Sequence, residues 1–251
     1  ASSTRKNILM KKVCIIGIGL IGGSLAKAIK KTHQSEIVFG FGRDKSRLEK
    51  ALKSNVIDQY STDIGEALDG ANMVIIATPV GSYESILKEM KPHIVEDMII
   101  SDVGSTKVSV IEAVKAVFGN TLDNFIPAHP IAGKEKVGFE VSDADLFLNR
   151  KVIITPLENN NPDSIKILAK MWEGVGAEVD FMTPQSHDDL LGMTSHLPHM
   201  LAFSLVNYLI SQHPEASVYA AGGFKDFSRI ASGDAIMWRD ICLHNRDAII
   251  A

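Results

Sequence analysis

The apolar run Val13-Cys14-Ile15-Ile16 passes without a break into Gly17-Ile18-Gly19-Leu20-Ile21-Gly22, and few folds accommodate that junction. Four consecutive apolar residues predict a buried strand. Beyond the glycines, Ile21, Leu25, Ala28 and Ile29 fall at i, i+4, i+7 and i+8, the spacing of one helix face. Strand, glycine turn and helix in that order give the context that a dinucleotide fingerprint requires. Gly17 permits the turn, Gly19 clears the approach of a pyrophosphate, and Gly22 lets helix and strand pack closely. Leu20 and Ile21 open the helix, whose free N–H groups and positive dipole end would face the anion. A strand–helix turn with no ligand is the plainer alternative, and the flanks favour the nucleotide.

The same alternation continues down the chain. Ile37–Phe41 reads as a second strand, followed by helical spacing at Leu48, Ala51, Leu52 and Val56. Met73–Ala77 is an almost wholly apolar run ending at Thr78-Pro79, as suits a parallel strand covered on both faces. Tyr83, Ile86, Leu87 and Met90 form a helical stripe; Met98–Ile100 is a further strand; a helix starts near Lys107. Phe125–Ala128 leads into His129, Val152–Thr155 into Pro156, and the helix at 165–172 precedes Glu178–Met182. This pattern predicts an α/β fold, an N-terminal Rossmann-type doubly wound and mostly parallel sheet over residues 1–182. After Thr183-Pro184 no strand is discernible, only helical spacing such as Leu201, Leu205, Tyr208 and Leu209. Residues 183–251 therefore read as a smaller all-helical domain. It is short for an independent core and is expected to pack on the first domain, on a second copy, or on both.

Composition narrows the class. In 251 residues, 26 basic and 30 acidic side chains give −4 with no single-sign block, which argues against a nucleic-acid or membrane-surface partner. No apolar run approaches the roughly 18 residues of a membrane span. Two cysteines, Cys14 and Cys242, form neither a disulfide framework nor a metal motif, so the cytoplasm is the expected compartment. Residues 1–9 lack a signal-peptide core and read as leader or tag.

Ligands in open parallel sheets sit beyond the carboxyl ends of the strands. Gly17–Gly22, Gly42-Arg43-Asp44, Thr78-Pro79, Asp102–Ser105 and His129–Gly133 should therefore share one rim. His129, just past a strand and before Pro130, could accept a proton near neutral pH, or could simply bond local backbone. Spacing favours Ser105 as the cap of the helix near Lys107, a role compatible with contacting a ligand. His196 and His199 flank Leu197-Pro198, but no third ligand stands at metal spacing, and no metal is expected. Arg229 could pair with Asp226 or grip a carboxylate, and spacing does not choose.

The chain resembles the prephenate/arogenate dehydrogenases, the TyrA or cyclohexadienyl dehydrogenase family. The motifs that carry the likeness are Gly17–Ser24, Ala77-Thr78-Pro79, Asp102–Lys107, His129–Glu135, Ser195–His199, Gly222–Arg229 with Ile230–Asp234, and Met237–Asp240. The resemblance implies oxidative decarboxylation of prephenate or arogenate, with hydride transfer to NAD or NADP, in tyrosine biosynthesis. His129 would accept the hydrogen bond and finally the proton from the ring hydroxyl, with Ser105 orienting one or the other. Arg229 would bind a substrate carboxylate, His196 would line the pocket, Trp238 would help close it, and Glu135 would stand near the entrance. A homodimer through the helical domain is implied.

Two departures stand out. Gly42 replaces the acid that often reads the ribose hydroxyl, with Arg43 and Asp44 after it, so NAD and NADP both stay open. The chain stops at Ala251, where relatives usually continue with more helix, implying a shortened C-terminus or a dimer with less surface. Two other readings compete: a β-hydroxyacid dehydrogenase-like reductase using Lys225, and a nucleotide-sensing module without turnover.

Overall fold

The computed structural model describes residues 10–134, 136–213, 215, 218 and 221–251. Its first half alternates strands and helices: β1 (Met10–Ile16), α1 (Leu20–Thr32), β2 (Ser35–Phe41), α2 (Lys45–Lys53), β3 (Gln59–Ser61), α3 (Ile64–Leu68) and β4 (Met73–Ile76). There follow α4 (Tyr83–Met90), β5 (Ile99–Asp102), α5 (Val108–Phe118) and β6 (Phe125–Ile126). These six strands form one parallel sheet in the order β3-β2-β1-β4-β5-β6. The order reverses between β1 and β4, and a crevice opens at such a point.

Alternate residues of each central strand enter two different cores. Val13, Ile15, Met73 and Ile75 pack with Leu25 and Ile29 of α1 on one face. Cys14, Ile16, Val74 and Ile76 pack with Leu87 of α4 and Val110 and Val114 of α5 on the other. The unbroken apolar runs in the sequence follow directly from this double burial.

The expected α/β class holds, but the last strands leave the main sheet. β7 (Ala128–Pro130), β8 (Lys151–Ile154) and β9 (Glu178–Phe181) form a separate sheet, β7 antiparallel to β8 and β8 parallel to β9. Pro127, with no N–H to donate, separates β6 from β7 and marks the exchange of sheets. His129 consequently lies inside a strand, opposite Ile153, rather than past a strand's end. Short β3 and α3 also go beyond the sequence reading. Asp63 caps α3 by accepting from Glu66 N–H.

From α6 (Pro162–Gly174) onward the chain is helical except for β9: α7 (Pro184–Leu191), a π-helical turn Gly192–His196, α8 (Leu197–Gln212), α9 (Gly222–Arg229), α10 (Ala235–His244) and α11 (Arg246–Ile250). α10 crosses the 3₁₀ turn Val80–Ser82 that follows β4. There a side chain on Gly81 would meet Asp240 Oδ2 at 2.8 Å. The helical region thus covers the carboxyl edge of the parallel sheet.

Candidate active site

The glycine turn has the geometry its sequence implies. Gly17 takes φ +96°, and a Cβ there would lie 2.9 Å from the Ala77 carbonyl oxygen. A Cβ on Gly22 would stand 2.1 Å from Gly17 O, so only glycine lets α1 approach β1 this closely. Around Gly19, by contrast, the space is open, and no side chain caps α1. Leu20 and Ile21 therefore present free N–H groups at a helix N-terminus, a ready anion site.

Beside the turn lies a cleft of about 310 Å³ lined by Gly17, Arg43, Asp44, Arg47, Thr78 and Pro79 among others. Thr78 Oγ1 accepts from Ser82 Oγ at 2.9 Å, and Pro79 enters the 3₁₀ turn. Asp44 caps α2, with Oδ1 accepting from Arg47 N–H at 3.1 Å. Exposed Arg43 reaches Glu89 at 3.1 Å. An adenosine moiety with its ribose fits the chemistry of this cleft.

The second group of site residues is a buried histidine cluster. His129 Nδ1 lies 2.8 Å from His187 Nε2, and His187 Nδ1 lies 2.7 Å from Asp188 Oδ1. Both residues are on α7. Asp188 also accepts from the backbone N–H groups of Lys107 (2.8 Å) and Val108 (2.9 Å), the first turn of α5. Capping of α5 therefore falls to Asp188, not to Ser105. A carboxylate offers two oxygens to two N–H groups at once, where a hydroxyl offers one. Among the described residues Ser105 Oγ makes no hydrogen bond, to His129 or elsewhere, and it is half-buried on the loop after β5.

Beneath His129, Lys107 and Asp102 form a fully buried ion pair at 2.5 Å. Lys107 Nζ also donates to Ala128 O, and Asp102 accepts from Tyr83 OH, Gly104 N–H and Ala128 N–H. Desolvation pulls the Lys107 ammonium down despite Asp102, and burial next to that carboxylate pushes the Tyr83 phenol well up.

His196 ends the π-helical turn, a distortion frequent at functional positions. Asn245 Nδ2 donates to its Nδ1 at 2.9 Å and to Asp188 O at 2.8 Å. Trp238, on α10, stacks on His199 at 3.5 Å between ring centroids and meets His196 edge-on at 6.3 Å. The fold so brings His129, His196 and Trp238 into one connected set through His187, Asp188 and Asn245. Arg229 is exposed at the end of α9, beside a 3₁₀ turn (Ile230–Ser232) that packs on α8. Glu135 lies outside the described residues.

Two family models match the sequence: one described as prephenate dehydrogenase, nucleotide-binding domain, over residues 25–181, and one as prephenate dehydrogenase, dimerization domain, over residues 183–251. The chain belongs to the prephenate dehydrogenase family. The prephenate dehydrogenase of Bacillus subtilis (strain 168) is 36% identical over 248 residues, covering 97% of this chain and 67% of that one. The cyclohexadienyl dehydrogenase of Zymomonas mobilis is 33% identical, covering 96% and 83%. A crystal structure of prephenate dehydrogenase from A. aeolicus, in complex with hydroxyphenyl propionate and NAD+, aligns with a TM-score of 0.89 at 37% identity, covering 96% and 85%.

In this prephenate dehydrogenase family member, sequence reasoning missed His187, Asp188 and Asn245, and gave Lys107 and Asp102 no role. An adjacent His-Asp pair on a helix was the one available signal for the first two.

The three buried imidazoles also predict a pH dependence. Burial lowers His129 well below its usual range, helped by His187, Lys107 and His196; it lowers His187 too, and His196 to about 4. Unfolded rings take protons near pH 6.5 while folded ones do not, so unfolding absorbs protons below that pH. Stability should fall from about pH 6.5 downward, by up to about 1.4 kcal/mol per pH unit for each ring. Urea midpoints at about pH 7.5 and about pH 5 check this, and equal midpoints would refute it.

Proposed function

We propose that this chain oxidatively decarboxylates prephenate, arogenate or both, with NAD+ or NADP+ bound as the hydride acceptor, in tyrosine biosynthesis. One observation carries the assignment of roles: a neutral, buried imidazole, His129, shares a connected cluster with His196 and Trp238 where the helical region covers the edge of the nucleotide-binding sheet. The open N-terminus of α1 and the cleft from Gly17 to Pro79 hold the dinucleotide.

His129 accepts the hydrogen bond of the ring hydroxyl. As hydride leaves the carbon that bears it, carbonyl character develops and the proton becomes more acidic. His129 takes that proton, and returns it to the oxygen once carbon dioxide has left and the ring is aromatic. No net proton is released. Such a positioned base is worth about 10²–10⁴ in rate. Ser105, with no hydrogen bond among the described residues, is available to the same hydroxyl. His196 and Trp238 line the substrate side, and Arg229 binds a carboxylate of the substrate.

Residues 1–182 form the nucleotide-binding domain and residues 183–251 the substrate and dimerisation domain. The ranges of the two family models support this division. A homodimer forms through the helical region, where Leu201, Leu205 and Tyr208 of α8 leave apolar surface exposed. Among the described residues no helix is long and apolar enough to cross a membrane. Both cysteines are free, which supports a reducing, cytoplasmic setting.

The decisive assay offers prephenate and arogenate, each with NAD+ and with NADP+, and follows the reduced nicotinamide by absorbance. Turnover in at least one combination is expected, and none in all four would refute the reading. A strong NAD+ preference would show that Arg43, drawn toward Glu89, does not read a ribose phosphate. Arg229→Gln should raise KM about tenfold or more for a carboxylate held by a charge-assisted bond, with kcat less affected. An unaltered KM would remove Arg229 from substrate binding.

A further inference from the structure

The geometry points to His187 as a positioning residue: held by Asp188 at the first turn of α5, it fixes the proton of His129 on Nδ1 and leaves Nε2 bare as the atom that accepts the substrate proton. This rests on the proposed role of His129 as base.

Asp188 accepts two backbone N–H groups, from Lys107 and Val108, beside the positive end of α5. Those contacts make its carboxylate an acceptor toward every partner, so His187 Nδ1, 2.7 Å away, carries a hydrogen. A neutral imidazole bears one hydrogen, which leaves His187 Nε2 as an acceptor. Across the 2.8 Å contact the proton therefore belongs to His129 Nδ1. His129 is itself neutral, and among the described residues its Nε2 lone pair accepts no hydrogen bond.

The charged and titratable groups around His129 agree with this polarity. Lys107, paired with Asp102, lies beneath the ring, and His187 and His196 flank it. A positive or electroneutral surround disfavours a protonated His129 before substrate binds. His187 is fully buried and Asp188 is 2% exposed, so water does not compete for these bonds. His196 is wired the opposite way. Asn245 Nδ2 donates to its Nδ1, which makes Nε2 the hydrogen-bearing nitrogen. The cluster thus offers one imidazole that accepts and one that donates, matched to a substrate with both a hydroxyl and carboxylates.

The test compares His187→Leu, which deletes the acceptor, with His187→Gln, whose amide oxygen can accept in place of Nε2. We expect kcat for His187→Leu to fall on the order of 10²-fold with KM and cofactor Kd little changed. His187→Gln should recover activity to within about tenfold of the parent. Nitrogen-15 NMR of the imidazoles gives a second readout that needs no turnover. The parent should show His129 protonated on Nδ1 alone, and His187→Leu should show a mixture of tautomers. A parent ring protonated on Nε2, an unchanged kcat in His187→Leu, or equal losses in both variants would overturn the inference. Failure of the parent in all four substrate–cofactor combinations would instead sink the functional reading, while the NMR result would still decide the tautomer.

Discussion

Replacing His129 by asparagine should reduce kcat by about 10²–10⁴ while leaving cofactor affinity near that of the parent. The asparagine amide can still donate to His187 Nε2 from a position close to that of Nδ1, so the local structure should survive. What the substitution removes is the second ring nitrogen, and with it any atom able to take a proton. Steady-state kinetics with the preferred substrate, paired with calorimetric titration of the cofactor, separates the two effects. An unchanged kcat would exclude His129 from the chemistry, and a parallel loss of cofactor binding would mean the fold had been damaged.

Lys107→Met should be the most destabilising single substitution at the site. Methionine roughly matches the length of the lysine stem, but Asp102 is then a fully buried carboxylate without a counter-charge. Breaking one side of a buried pair costs about 3–5 kcal/mol. In a chain of this size that corresponds to a fall of about 6–20 °C in the melting temperature. The double variant Lys107→Met with Asp102→Asn should recover a good part of the loss, because no uncompensated charge remains. Thermal melts of the two variants against the parent check this. A single variant as stable as the parent would mean that water or Tyr83 already screens Asp102. The surviving activity of the single variant should also shift its acid limb upward in pH, since a cation beside His129 has gone.

The parts of the fold that were legible in the sequence are those written in local periodicity. β1, the glycine turn and α1 are specified by adjacent residues, and the unbroken runs of β4 and β5 announce burial on both faces. The departure of β7 from the main sheet was not legible. A three-residue strand carries no periodicity, and only the pairing of His129 with Ile153 reveals where it belongs. Asp63 and Glu66 did carry a capping signal for α3 in local sequence.

The site divides along the same line. Gly17, Gly19, Gly22, Thr78 and Pro79 lie at element ends that periodicity locates; Gly17, Thr78 and Pro79 line the cleft, whereas Gly22 packs α1 against the turn and the space beside Gly19 is open. The partners of His129 were beyond local rules. His187 is 58 residues away, and Asp188 reaches back 81 residues to Lys107. Spacing alone assigned the cap of α5 to Ser105, because a rule drawn from neighbouring residues cannot register a carboxylate arriving from another helix.

The bond from Asp188 to the start of α5 bears on how such a chain can be recombined. One carboxylate from the second part of the polypeptide caps the start of a helix in the first and aligns an imidazole that serves His129, also in the first. A chimera spliced at residue 182 would inherit the recipient helix from one parent and its terminating group from another. Exchange between relatives is therefore workable only when the turn at Lys107-Val108 and the pair His187-Asp188 travel together, as a single heritable unit divided across the splice.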